Sequence, residues 1–204
     1  MTNSLTVHIV EDDDHVRDSM VILLRANGFK VDEHASPRHF FDNYRAEEAG
    51  CIILDMMLPE LTGDQVHERL TRLGDAPPII MVTGQPAIRM AVDAMKRGAI
   101  EFMEKPVNTD DLIETVRRCI TRRLEDIRKR DKVVDAQARI DVLTPRERDV
   151  LRQLLRGRPN KIIARELGLS PRTVEIHRAR VMEKTGAGSL PTLVKLAMVA
   201  GMEL

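Results

Sequence analysis

Two spacings of apolar residues alternate along the first part of the chain. Short runs built around apolar residues lie at 6–10, 30–34, 51–55, 79–83 and 101–105. Between them, apolar residues recur at the three- and four-residue intervals of a helix. Because strands buried on both faces are apolar throughout, this alternation predicts an α/β domain with a parallel five-stranded sheet covered by five helices. The helical stripes are Val16, Met20, Leu23 and Leu24; Val66, Leu70 and Leu73; Ala91, Val92 and Met95; and a last one from near Asp110.

The stretch from residue 109 to residue 138 contains no glycine or proline. Within it Ile113, Ile120, Ile127 and Val134 recur every seven residues, which is the period of a coiled coil. Asp131 places a charge at one position where a coiled coil requires an apolar residue. Two interpretations stay open: a helix that pairs two chains, or the last helix of the first domain followed by a charged linker.

Residues 142–204 predict four short helices, because helix caps recur along them. Thr144 and Glu147 form the pattern of a capping box. Ser170 and Ser189 stand where the N-caps of two later helices are expected, each just before or near a proline. The second part of the chain is therefore predicted to be an all-α domain.

The charges are distributed unevenly over the 204 residues. Residues 1–123 carry a net charge of −6 and residues 124–204 a net charge of +6. This predicts two modules with different partners, the second of them a polyanion. Aromatic residues make up only 2% of the chain, which disfavours a single-strand binder that stacks bases.

The cysteines and the chain start bear on the compartment. Cys51 and Cys119 lie among apolar neighbours, as small core residues of a reducing compartment do. The N-terminal residues lack the basic start and apolar core of a signal peptide, and no apolar run approaches the ~18 residues of a transmembrane helix. We expect a cytoplasmic protein with no membrane partner.

Side chains that can carry chemistry follow four of the predicted strands. Because the carboxyl ends of parallel strands meet at one edge of a sheet, where ligands bind, we expect these side chains to converge. The acids after the first strand could instead cap the first helix, and each of the others alone is common at a strand end. The set is Glu11, Asp12 and Asp13 after the first strand, Asp55 after the third, Thr83 after the fourth and Lys105 after the fifth.

This set suits the transfer of a phosphoryl group. Crowded carboxylates need a divalent cation, and Mg²⁺ prefers oxygen ligands and often keeps a phosphate among them. Asp55 can attack a phosphoryl group and form an aspartyl phosphate. Mg²⁺, Thr83 and Lys105 would then bind the phosphoryl oxygens and offset their charge.

The basic second part contains a helix-turn-helix pattern. One short helix starts at Asn160, and a second runs from Ser170 with Val174 and Val181 on its apolar side. The exposed N-terminal half of such a second helix meets base edges and phosphates in the major groove. The alternative is a solvated basic helix in a small bundle. The exposed residues are predicted to be Arg172, Thr173, Glu175, Ile176, Arg178 and Ala179.

Residues 5–124 resemble the receiver domain of two-component response regulators. The resemblance rests on Glu11-Asp12, on Asp55 followed by Pro59 and Gly63, on Thr83-Gly84 and on Lys105-Pro106. It implies a flavodoxin-like (βα)5 fold in which Asp55 accepts a phosphoryl group from a sensor histidine kinase.

The same resemblance implies further roles. Mg²⁺ would be held by Glu11, Asp12, Asp55 and the backbone carbonyl of Met57, and the Lys105–Pro106 bond would be cis. Thr83 and Phe102 would form a switch pair, in which Thr83 moves onto the phosphate and Phe102 turns inward. Glu11 stands where Asp is commoner, and the apolar Met57 mainly affects the lifetime of the phosphoryl group.

Residues 142–202 resemble the four-helix DNA-binding domain of the LuxR type. The resemblance rests on LTPRERDVL, NKIIARELGLSPRTVEIHRARVMEK and LVKLA. Together the two resemblances cover nearly the whole chain and are typical of response regulators of the NarL/FixJ type. They imply bases beside Glu175, Ile176 and Ala179, and phosphate contacts from Lys161, Arg172, Arg178, Arg180 and Lys184.

We therefore predict a receiver over residues 1–123, a helical linker over 124–141 and a helix-turn-helix DNA-binding domain over 142–204. Phosphorylation of Asp55 would promote receiver dimerisation, with a further dimer contact along the helix at Ile113, Ile120, Ile127 and Val134. The dimer would bind double-stranded promoter DNA, where RNA polymerase is a further partner.

Two other functions are weaker interpretations of the same residues. An aspartate-based phosphatase needs a proton donor two positions after its nucleophile, and Met57 cannot donate one. Only slow autophosphorylation from small phosphodonors and slow autodephosphorylation are expected. A DNA binder with a degenerate receiver is disfavoured by the complete set of Asp12, Asp55, Thr83 and Lys105.

Overall fold

The structure is a computed structural model that describes residues 5–84 and 98–202. The chain divides into two compact units, Met1–Asp126 and Ile127–Leu204. The helix predicted around Ala91, Val92 and Met95 lies outside the described residues.

The first unit contains the predicted parallel sheet. Its five strands run in the order β2-β1-β3-β4-β5, so the chain reverses its direction of winding between β1 and β3. The described elements are β1 (Thr6–Val10), α1 (Asp14–Ala26), β2 (Lys30–His34), α2 (Pro37–Asn43), β3 (Ala49–Asp55), α3 (Gly63–Arg72), β4 (Ile79–Thr83), β5 (Glu101–Glu104) and α4 (Thr109–Asp141).

Residues that alternate along the strands fill two cores, one on each face of the sheet. On one face Ile9 and Ile53 pack with Leu24 of α1 and Val116 of α4. On the other face Leu54 and its neighbours pack with α2 and α3. All residues of β1, β3 and β4 are buried, and burial on both faces explains why β3 and β4 are apolar almost throughout.

The predicted stripe on α3 is right for two of its three residues. Val66 and Leu70 are fully buried. Leu73 is 60% exposed, because the helix ends at Arg72 and Leu73 is its C-cap.

The burial of three polar side chains described in this unit was not predicted. Arg123 of α4 is 2% exposed, and it donates to the carbonyls of Ala49 over 3.1 Å and Ala46 over 2.8 Å while pairing with Asp75. His8 Nδ1 and His34 Nε2 lie 3.1 Å apart beneath α2. No pattern of neighbouring residues distinguishes these side chains from exposed ones.

The long helix α4 buries a different set of residues from the seven-residue pattern. Leu112, Val116 and Cys119 face the sheet core, one position away from the predicted seam. Ile113, Ile120 and Ile127 are half-buried, and Val134 is 68% exposed. Ile120 packs against the sheet core.

The second unit contains the end of α4 and the four helices that the caps predicted. Thr144 and Glu147 form the capping box, and Ser170 and Ser189 are N-caps. The helices surround one apolar core that includes Val150, Ile163, Val174 and Leu193. They are α5 (Pro145–Leu155), α6 (Asn160–Leu167), α7 (Pro171–Thr185) and α8 (Leu190–Val199).

Candidate functional site

The predicted acidic residues meet in a cleft at the carboxyl ends of β1 and β3, the two strands on either side of the switch point. The cleft has a volume of about 390 Å³. It is lined by Glu11, Asp12, Asp13, Val16, Asp55, Met57, Gly84 and Lys105.

Asp55 is held at both of its carboxylate oxygens. Asp55 is 5% exposed, and its Oδ1 accepts a hydrogen bond from the backbone N–H of Met57 over 3.0 Å. Its Oδ2 accepts from Lys105 Nζ over 2.8 Å. The carboxylate is therefore fixed at the end of β3 with one side toward the cleft.

Lys105 joins the carboxylates of two strands. Its Nζ also lies 2.6 Å from Glu11 Oε2, and Glu11 is 1% exposed. Burial works to lower the pKa of Lys105, but the hydrogen bonds from its ammonium to Asp55 and Glu11 outweigh burial and raise it. Lys105 therefore stays cationic beside Asp55.

Burial also changes the titration of Glu11. It raises the pKa of this carboxyl, the hydrogen bond from Lys105 opposes that rise, and the charge of Asp55 adds to it. The backbone carbonyl of Glu11 accepts from Arg17 Nη1 over 2.9 Å. Arg17 therefore holds the strand end in place, a role that no motif in the sequence signalled.

The three acids after β1 have two different roles: one caps α1, and the other two belong to the acidic cluster of the cleft. Asp13 is the N-cap of α1 and accepts from the backbone N–H groups of His15 over 2.9 Å and Val16 over 3.1 Å. Glu11 and Asp12, by contrast, lie with Asp55: one oxygen from each is within 4.8 Å of the others. This acidic cluster could hold a metal ion.

A close approach between two backbone segments explains why the motif has a glycine at position 63. A Cβ built on Gly63 would lie 2.6 Å from the carbonyl oxygen of Asp55 and 2.9 Å from the Cα of Met56. The backbone N–H of Gly63 donates to the carbonyl of Met56 over 3.1 Å. The first turn of α3 therefore rests directly on the backbone that carries Asp55.

Thr83, Lys105 and Phe102 occupy the neighbouring strands. Thr83 is fully buried at the end of β4, and its carbonyl accepts from the backbone N–H of Lys105 over 2.8 Å. The Lys105–Pro106 bond is cis. Phe102 lies on β5 opposite Met81 and packs, half-buried, against the core under α2 and α3.

The helix-turn-helix pattern corresponds to α6 and α7. Gly168 joins them with φ +64°, a backbone conformation that glycine adopts without strain. Val174 and Val181 of α7 are fully buried, which turns the opposite side of the helix outward. Of the predicted DNA contacts, Thr173 and Arg178 are half-buried, and the exposed ones are Lys161, Arg172, Glu175, Ile176, Ala179, Arg180 and Lys184.

Two of these cations have partners within the protein. Arg178 Nη1 donates to Asn160 Oδ1 over 3.4 Å. Lys184 Nζ donates to Glu147 Oε2 over 2.8 Å, and Glu147 is 2% exposed. The sequence predicted Glu147 only as a cap and Lys184 only as a phosphate contact, so their ion pair was missed.

Comparisons with known proteins match both units. Residues 7–117 match the family model described as response regulator receiver domain, and residues 141–197 match that of bacterial regulatory proteins of the luxR family. The chain is 42% identical over 202 residues to the transcriptional regulatory protein FixJ of Azorhizobium caulinodans, covering 99% of this chain and 96% of the relative.

Two solved structures also match this chain over nearly its whole length. The response regulator StyR superposes with a TM-score of 0.89 at 37% identity and covers 96% of this chain and 98% of its own. Full-length FixJ from B. japonicum superposes with a TM-score of 0.59 at 37% identity and covers 100% of both chains.

Each matched domain implies a partner. A receiver domain implies a histidine kinase, and a LuxR-type helix-turn-helix domain implies DNA. None of the described helices combines the length and apolarity needed to cross a membrane. The chain therefore belongs to the two-component response regulators that join a receiver to a LuxR-type DNA-binding domain, and it is a phosphorylation-dependent transcription regulator.

Proposed function

We propose that Asp55 is the phosphoryl acceptor, and that its phosphorylation promotes receiver dimerisation and binding to promoter DNA. The observation that carries this proposal is the position of Lys105 Nζ, 2.8 Å from Asp55 Oδ2 and 2.6 Å from Glu11 Oε2. In the transfer, an oxygen of Asp55 forms a bond to phosphorus while the bond from phosphorus to the histidine nitrogen of the kinase breaks. The nitrogen keeps that electron pair.

We assign Mg²⁺ to the same cleft. The donors are carboxylates of Glu11, Asp12 and Asp55, with the backbone carbonyl of Met57 as a further ligand. All four are oxygen ligands, which this hard cation prefers. When bound, the ion would offset negative charge on the phosphoryl oxygens. Lys105, already anchored by two carboxylates, adds a second positive charge at the same place.

The chain's own chemistry is confined to slow reactions of this phosphate. The Met57 side chain is 56% exposed at the cleft, and its thioether has no proton to donate to a leaving group. We therefore expect slow autophosphorylation from small phosphodonors and slow autodephosphorylation.

We propose Thr83 and Phe102 as the switch pair. Thr83 is buried at the end of β4 opposite Glu104 of β5, so its movement toward a phosphate would free space near β5. Phe102, half-buried on β5, would then turn inward. A phosphate that binds one arrangement better than the other shifts the population between the two.

Dimerisation would bring two DNA-binding domains to a site with two-fold symmetry. Ile120 of the seven-residue pattern already packs in the sheet core, whereas Val133 and Val134 are 47% and 68% exposed. Of the seven-residue pattern, Val134 is therefore the most accessible position for the proposed contact between copies, and Val133 lies beside it. RNA polymerase at the promoter is a further proposed partner, in the cytoplasm.

The proposed DNA surface is the exposed side of α7 together with the start of α6. Cations there would neutralise phosphates, and the side chains between them would meet bases. Lys184 belongs to the same prediction but already pairs with Glu147. The phosphate set is Lys161, Arg172, Arg178 and Arg180, and the base set is Glu175, Ile176 and Ala179, with Thr173 beside them.

Phosphorylation of Asp55 is tested with full-length protein, acetyl phosphate and Mg²⁺. Intact-mass spectrometry should show one added phosphoryl group on wild type and on the control Asp42→Asn, which changes an exposed acid on α2. Asp55→Asn should gain none. Light scattering and binding to a duplex selected from a random library should then change only for the first two proteins. An Asp55→Asn protein that gains the group would refute the assignment.

The metal assignment has a separate test. Calorimetric titration of unphosphorylated protein with MgCl2 should show weaker binding for Glu11→Gln and for Asp12→Asn than for wild type. Asp13→Asn serves as the control, since Asp13 caps α1. Unchanged affinity in both ligand variants would overturn the proposed ligand set.

A further inference from the structure

The ion pair between Lys184 and Glu147 joins two helices that are distant in sequence. Lys184 lies in the last turn of α7, and Glu147 lies in the first turn of α5. The distance from Lys184 Nζ to Glu147 Oε2 is 2.8 Å. The pair is also favoured by position, because acids are stabilised at helix N-termini and cations at C-termini.

Glu147 is held in place by hydrogen bonds to Thr144 in addition to its contact with Lys184. Its backbone N–H donates to Thr144 Oγ1 over 3.3 Å, and its Oε2 accepts from the Thr144 backbone N–H over 2.9 Å. At 2% exposure, the carboxylate has almost no access to water. Removal of the ammonium would therefore leave a buried charge with only its cap for compensation.

Lys184 is at the wrong end of α7 for base recognition. It lies twelve residues after Arg172, or about 18 Å along the helix axis at 1.5 Å per residue. A recognition helix contacts bases through its N-terminal part. A restraint at the far end nevertheless controls where that N-terminal part points.

The remaining contacts of α7 with its own unit are mainly apolar. Val174 and Val181 are fully buried in the helical core. Apolar packing depends little on direction, whereas a charge-assisted hydrogen bond sets an angle and a distance. The ion pair, like the longer hydrogen bond from Arg178 to Asn160, therefore adds a direction to this apolar packing.

We infer that Lys184 is a positioning residue: through Glu147 it sets the orientation of the DNA-reading helix α7, and it does not neutralise a DNA phosphate. This inference rests on the proposed role of α7 in DNA binding. Because the two charges cancel locally, the pair contributes nothing to the release of counterions from DNA. Its effect appears in the discrimination between sequences.

The test measures two quantities on phosphorylated full-length protein. One is the slope of log K against log salt concentration for a duplex of random sequence, and the other is the affinity ratio between a selected and a random duplex. Lys184→Met and Glu147→Gln should each keep the wild-type slope and lower the ratio by about tenfold, the size of one impaired base contact. The double variant should lower it no further, because both changes break one contact.

Matched variants complete the experiment. Arg172→Met, which removes a proposed phosphate contact, should reduce the slope by about 0.9. Lys195→Met, which removes an exposed charge from α8, should change neither quantity. Lys184→Arg, which can still pair with Glu147, should recover most of the ratio. Circular dichroism confirms that each variant is folded.

The outcomes separate the possible errors. If Lys184→Met reduces the slope as Arg172→Met does while Glu147→Gln keeps the wild-type ratio, Lys184 is a phosphate contact and the inference is wrong. Additive losses in the double variant would also contradict it. A wild-type protein that selects no duplex would overturn the proposed DNA surface itself.

Discussion

Gly63→Ala should impair phosphorylation of Asp55 although residue 63 has no reactive group. The added Cβ would lie 2.6 Å from the carbonyl oxygen of Asp55 and 2.9 Å from the Cα of Met56. Both atoms are backbone, so either α3 or the end of β3 must move by roughly 0.5–1 Å to restore an ordinary contact. A displacement of this size at a reacting group can lower a rate by up to about 100-fold.

The same substitution should also lower stability, by about 1–3 kcal/mol for an overpacked site. This corresponds to a fall in Tm of roughly 3–10 °C for a domain of this size. The measurements are the rate of mass gain with acetyl phosphate and Mg²⁺, and thermal unfolding by circular dichroism. The rate is corrected for the folded fraction.

Gly50→Ala is the matched control. Its added Cβ would lie 2.7 Å from Leu5 Cβ, so it also overpacks β3. Residue 50 is five residues from Asp55, or about 17 Å along an extended strand. It should lower Tm and keep the corrected phosphorylation rate. Equal rates for Gly63→Ala and wild type, or equal losses for both variants, would refute the reasoning.

Three further predictions concern buried ionisable groups. Burial and the nearby histidines lower the pKa of His34 from 6.5 to about 4, so on acidification the unfolded state binds this proton first. The contribution of neutral His34 to the free energy of unfolding should be fully present above pH 6.5 and should be lost between pH 6.5 and 4, by up to about 3 kcal/mol. In urea unfolding, the His34→Gln variant should show a smaller loss over this pH range. Arg123→Met should lower the free energy of unfolding by about 3 kcal/mol, because buried acceptors lose their donor, while Arg122→Met on the exposed side should have little effect. The hydrogen bonds from Lys184 and, less strongly, from Thr144 lower the pKa of Glu147 to about 2, so its carboxyl carbon should titrate near pH 2 by NMR and at higher pH in Lys184→Met.

Each of these has a clear contrary result. Wild type and His34→Gln with the same loss of stability between pH 6.5 and 4 would show that this imidazole is not buried as neutral. Arg122→Met as damaging as Arg123→Met would point to helix propensity in α4 instead of the buried contacts. A wild-type Glu147 that titrates near 4.5 would show that its ion pair does not form in solution.

Much of the fold follows from signals between neighbouring residues. The apolar runs predicted the strands because residues buried on both faces of a sheet must all be apolar. The cap patterns at Thr144, Ser170 and Ser189 predicted three helix starts, since a cap bonds to the helix that follows it directly. The seven-residue spacing in α4 did not indicate which residues are most buried. Leu112 and Cys119 of the core lie one position before Ile113 and Ile120 of the pattern.

The cleft needed one further step from sequence to structure. Glu11, Asp55 and Lys105 come from three strands, and their convergence was predictable only because parallel strands bring their carboxyl ends to one edge. The sequence did not predict which of the acids caps α1 and which one pairs with Lys105. Asp13 caps α1 and Glu11 faces Lys105, although both are acids in the same short run.

The sequence by itself determined the strands, the helix caps, the two-module organisation and the acids and lysine that line the cleft. Thr83, the remaining member of the predicted set, is fully buried and is not among the lining residues. The tertiary structure decided the contacts between distant residues: the approach of Gly63 to Asp55, the burial of Arg123 and the pairing of Lys184 with Glu147. The reason is physical. Periodicity and capping involve residues a few positions apart, whereas these contacts depend on the distances between packed elements, which no local pattern encodes.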